Sequence, residues 1–154
     1  MKIQCTDSKT FELMDSSRKL GQLEYEGLFS FKARAVVGND FYKIIPKGIF
    51  STTIFVTKNG MEVANLKMNW KGNIIISFKK GQEFILKASG IFLNKYVLED
   101  KNQQKIMRLD PDFNWSKFNY NYTISYDTTP QDKVLVLLAA YAANYYVAAM
   151  STAG

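Results

Sequence analysis

Lys32-Ala33-Arg34 sets two cations two positions apart. Residues two apart share a face of a β-strand, and such a pair can give a phosphate group charge-assisted hydrogen bonds. Lys43 and Lys47 follow shortly and extend the patch. Lys32, Arg34, Lys43 and Lys47 are therefore a candidate site for an anionic head group. The competing explanation is the solvated outer face of a sheet, where lysine and arginine are at home. Asp110-Pro111-Asp112-Phe113-Asn114 puts oxygen ligands at alternate positions, as a calcium loop does. The pattern then fails: Trp115 stands where the loop needs glycine and Asn121 where it needs a bidentate glutamate. A plain turn at Pro111 is expected there, and no metal site. Glu24 and Glu26 would lie about 7 Å apart on one strand face, a separation that suits inverting glycoside hydrolysis. With 14 acids in the chain such pairs arise by chance.

Other chemistries lack their residues. There is no histidine and one cysteine, Cys5. No imidazole base can serve a catalytic triad, no Cys/His zinc site can be assembled, and no intrachain disulfide can form. Cys5 reads as a small packing residue, and a reducing, cytoplasmic setting is the default. Gly-x-Ser-x-Gly, the phosphate loop and Gly-x-Gly-x-x-Gly are all missing. A protein that is not an enzyme and needs no cofactor is expected. The net charge is +6, carried mostly by lysine, with only Arg18, Arg34 and Arg108 as arginines. Nucleic-acid readers lean on arginine for bidentate contacts, so nucleic acid is not the expected partner. The first residues, MKIQCTDSK, contain no apolar run that reads as a secretory leader. The acceptor patterns at Asn114 and Asn121 are accordingly read as chance.

The elements that must position these residues are mostly strands. Turn signals recur every 8–12 residues or so, at Gly38-Asn39-Asp40, Asn59-Gly60, Gly72-Asn73 and Lys80-Gly81 among others. Between them the hydrophobic period is two. Phe118, Tyr120, Tyr122, Ile124 and Tyr126 alternate with polar residues, as do Ala64, Leu66, Met68 and Trp70, and Phe29, Phe31, Ala33 and Ala35. Trp70 and Trp115 are expected to pack inside. Small inward residues such as Ala33, Ala35 and Ala64 would leave a channel in a barrel.

The tail differs. Val134 to Met150 reads VLVLLAAYAANYYVAAM, without a charge. Thr129 can cap a helix here, Pro130 suits its first position, and Asp132 completes a capping box. A helix apolar all round must be buried. Seventeen residues span only about 25 Å, short of a bilayer's hydrocarbon core of about 30 Å. An outer amphipathic helix would need a polar face that is lacking. The expectation is a single domain over 1–154. It is all-β with one C-terminal helix: roughly twelve antiparallel strands closed into a barrel around a buried apolar central helix, at about 130–150.

A barrel of that strand number, closed around a C-terminal apolar helix, resembles the tubby C-terminal-like superfamily, which includes tubby domains, phospholipid scramblases and LURP-one-related proteins. The resemblance covers the layout of the whole chain and is architectural. In size a LURP-one-related member fits best. It implies a cytoplasmic, peripherally membrane-associated module that binds anionic phospholipid through basic strand residues, with Lys32 and Arg34 in the place of a similar Lys-x-Arg pair. Two other readings stand beside it: a lipocalin-like carrier of a small apolar ligand, and a structural or protein-interaction domain.

Overall fold

The structure, a computed structural model, describes residues 1–27, 30–47, 53–89, 95–114, 119–127 and 132–153; the side chains of 114, 119 and 150–153 are not described. Expectations placed on Phe29, Trp115, Phe118, Thr129 and Pro130 lie outside the described residues. Twelve strands precede one helix: β1 (Lys2–Cys5), β2 (Thr10–Asp15), β3 (Arg18–Tyr25), β4 (Ala33–Val37), β5 (Asp40–Pro46), β6 (Thr53–Lys58), β7 (Met61–Met68), β8 (Ile74–Phe78), β9 (Glu83–Ser89), β10 (Lys95–Asp100), β11 (Lys105–Asn114), β12 (Asn119–Ser125) and α1 (Lys133–Ala153).

Each strand pairs antiparallel with its neighbours in sequence, and β1 pairs with β12 to close the barrel. Closure removes the free edges that an open sheet would expose. The alternation read from the sequence sets the register. Leu23, Ala35, Ala64, Leu66, Tyr122 and Ile124 all point inward and are buried. Asn59 and Gly60 both have positive φ, 54° and 78°, the combination that a two-residue hairpin turn requires.

Two local expectations fail. Pro111 makes no turn: β11 runs straight through it, with Pro111 opposite Tyr122. Its pairing with β10 extends only from Lys105 to Leu109, so the missing N–H interrupts no ladder on that side. Trp70 does not pack inside. β7 ends at Met68, and Trp70 projects from the following turn at 90% exposure.

Helix α1 fills the barrel. Ten consecutive residues, Val134 to Ala143, are each no more than 6% exposed, which only a helix surrounded on every side can achieve. Its neighbours lie around the whole wall. Leu137 meets Gly21 of β3, Tyr141 stacks on Tyr25 with centroids 5.8 Å apart, and Tyr146 meets the Tyr96 ring of β10 at 5.7 Å. The alanines keep the rod thin enough for the walls to close on it. The helix starts later than expected. Asp132 itself is the cap, its Oδ1 accepting the Val134 N–H at 3.1 Å. It also ends later, and residues 144–149 are only half-buried, so the last turns emerge from the barrel. Among the described residues no helix is long and apolar enough to cross a membrane.

The two mouths of the barrel follow from this topology. The hairpins after β2, β4, β6, β8 and β10 surround the entry of α1. The C-terminal ends of β1, β3, β5, β7, β9 and β11 surround its exit, where Tyr145 meets Phe31 of the β3–β4 connection at 5.0 Å.

Candidate anionic-surface site

The four cations expected to act together are all exposed, on the β4–β5 side of the barrel. Arg34 and Lys43 are direct cross-strand partners. Like charges facing each other are unfavourable, and the sheet compensates: Arg34 Nη2 lies 2.7 Å from Glu24 Oε1, on the adjoining strand β3. Arg34 is thus engaged within the protein. Glu24 is engaged as well, since its Oε2 accepts a hydrogen bond from Gln22 Nε2 at 3.0 Å. The pairing with Arg34 was invisible in the sequence because it depends on register across ten residues. Lys32 precedes β4 in the connection at the exit mouth, and its carbonyl accepts the Glu26 N–H at 2.9 Å. Lys47 extends beyond β5 with its ammonium 5.3 Å from the Phe55 ring centroid.

The structure adds cations that the sequence reading did not group with these. Lys43 and Ile45 of β5 and Lys47 just beyond it are exposed, and Ile45 sits opposite Phe55 of β6. Thr53 of β6 sits opposite Lys67 of β7, which is exposed. Lys71 lies on the turn after β7, and Lys95 opens β10. The exit-side portions of β5 to β10 and the described connections there comprise residues 43–47, 53–55, 65–75, 85–89 and 95–97. They contain Lys43, Lys47, Lys67, Lys71, Lys87 and Lys95, and no aspartate or glutamate. Lys87 alone among these six has a close acid, Glu99 at 2.9 Å. Residues 48–52 and 90–94 add no charge of either sign to the sequence.

The entry mouth is charged differently. There Arg18 meets Asp15, Lys58 meets Asp40 at 3.1 Å, and Lys79 meets Glu62. Those three cations are each paired with an acid, whereas the exit sector carries one sign. Like charges concentrated on one surface build a potential that attracts an extended anion.

The other candidates resolve into structural roles. Asp110 Oδ2 accepts a hydrogen bond from Arg108 Nε at 2.9 Å. Among the described residues no three acids or cysteines cluster as a metal site would need. Asn121 Oδ1 accepts the Cys5 N–H at 2.8 Å, so that asparagine stitches β12 to β1. The lumen that a carried ligand would need is occupied by α1. Where Ala142 and Tyr145 face Ile54, Leu66 and Ile74, the remaining gap has no room for a water molecule.

No protein-family model, curated protein or solved structure matches the chain.

Proposed function

We propose that this protein is a non-enzymatic barrel of the tubby-like kind that binds anionic lipid head groups on its surface. The observation that carries the reading is the acid-free lysine sector around the exit mouth, centred on Lys43, Lys47, Lys67 and Lys71. Ile45, 38% exposed, and half-buried Phe55 lie within it. Lysines at a membrane surface each contribute about 1 kcal/mol of attraction to anionic lipid. Apolar side chains between them suit the boundary between head groups and acyl chains. Of the four cations expected to act together, Lys43 and Lys47 belong to this sector, while Arg34 is paired with Glu24.

Charge reversal with a matched control tests this. Lys47→Glu with Lys67→Glu changes net charge by the same amount as Lys80→Glu with Lys101→Glu, two exposed lysines at the entry mouth. On phosphatidylserine vesicles the first pair should weaken binding about thirtyfold or more, and the second far less. Equal losses would show a response to net charge alone and would overturn the site. Sector-dependent binding to an oligonucleotide with none to vesicles would replace lipid by nucleic acid.

A further inference from the structure

Trp70 is the most exposed large apolar side chain among the described residues, at 90%. Its position is fixed by an unusually well-bonded turn. Asn69 Oδ1 accepts the N–H groups of Lys71 and Asn73, both at 3.0 Å. The Asn69 N–H donates to the Asn73 carbonyl at 2.8 Å, and the Gly72 N–H donates to the Asn69 carbonyl at 3.0 Å. Gly72 adopts φ +84°, which a side chain would disfavour. Four hydrogen bonds within five residues hold the tip that carries the indole. An exposed tryptophan on a mobile loop would lose conformational freedom on docking; on this tip less is left to lose.

The surroundings of the tip specify what it meets. Lys71 Nζ lies 5.4 Å from the Trp70 ring centroid. The tip joins β7 to β8 at the exit mouth, inside the sector that holds Lys67 and Lys47 and no acid. Indole has an apolar body and an N–H donor, and it settles at the level of lipid head groups. Lysine beside it reaches phosphate while its stem stays in the apolar layer.

Resting on the lipid reading above, we infer that Trp70 is the protein's membrane-interface anchor, inserting at the head-group level so that the β5–β10 side of the exit rim meets an anionic bilayer. The lysines supply long-range attraction, which salt screens; Trp70 supplies the short-range part, which salt leaves intact.

The test uses the full chain and vesicles of phosphatidylcholine containing phosphatidylserine. In a Trp115→Phe background, where Trp70 is the only tryptophan, vesicles should shift its emission to the blue, and lipids brominated high on the acyl chain should quench it. In the otherwise native chain, Trp70→Ser should weaken binding about tenfold at physiological salt. This second arm needs no change at Trp115. Binding by the native chain with unshifted Trp70 emission and an unaltered affinity for Trp70→Ser would overturn the anchor while leaving the lysine sector standing. No vesicle binding by the native chain at low salt would overturn the lipid reading itself, and the anchor with it.

Discussion

The Tyr122 hydroxyl donates a hydrogen bond to Asn144 Oδ1 at 2.6 Å, joining the last strand to the one strongly polar side chain in the middle of the apolar helix. The other end of the same amide, Nδ2, donates to the Tyr25 hydroxyl at 3.1 Å. One asparagine thus ties α1 to β12 and β3 at the depth where the helix leaves the closed lumen. Tyr141 makes a parallel tie one turn earlier, its hydroxyl donating to the Phe31 carbonyl at 2.7 Å. These bonds fix the depth of a rod whose remaining contacts are apolar and non-directional.

Replacing Asn144 by leucine should therefore cost more than the lost bonds alone. It strands the buried Tyr122 hydroxyl and deprives that of Tyr25, a penalty of about 2–4 kcal/mol. Urea unfolding would read the loss, and adding Tyr122→Phe should recover part of it by removing one stranded group. A variant as stable as the native chain would mean that the network does not fix the helix.

Gly21 lies at an irregularity in the β2–β3 register and faces the helix. A Cβ placed there would stand 2.9 Å from the Val36 carbonyl oxygen and 3.2 Å from Leu137 Cδ1. The carbonyl belongs to the adjacent strand and cannot swing away. Gly21→Ala should destabilise by about 1–3 kcal/mol, seen as a lower thermal midpoint. An unchanged midpoint would mean that the wall and helix are not in contact there.

Alkaline pH should loosen the barrel. Burial raises Tyr25, Tyr122 and Tyr141 well above the ordinary tyrosine range, and pushes Tyr96 up to about 12. The unfolded chain releases these protons near pH 10 while the folded one still holds them. Stability due to the neutral hydroxyls is thus complete below about pH 10 and declines above it. The slope is about 1.4 kcal/mol per pH unit for each tyrosine that still holds its proton in the folded state. Urea midpoints between about pH 9 and pH 11 would show the decline; a flat profile would contradict it.

Much of the barrel could be read from alternation. Tyr122 and Ile124 against Asn121 and Thr123 leave a strand one choice of inward face, and the charge-free tail leaves a helix nowhere to go but inside. Alternation does not say where a strand stops. Trp70 keeps the inward parity of Ala64, Leu66 and Met68, yet Asn69 has already started a turn. Long-range partners leave no local trace either. Asn144 lies 119 residues from Tyr25, and Arg34 finds Glu24 only once β3 and β4 are in register. The lysine sector was hidden for the same reason: Lys47 and Lys67 come to flank Thr53 only once β5, β6 and β7 are paired.

The central claim is that this rim attracts an anionic surface, and co-sedimentation with vesicles measures it most directly. The native chain should pellet with phosphatidylserine-containing vesicles at low salt and remain in solution with phosphatidylcholine alone. At about 1 M salt, where charges are screened beyond about 3 Å, most of the binding should be lost. Equal binding to charged and neutral vesicles, or none to either at low salt, would contradict the account.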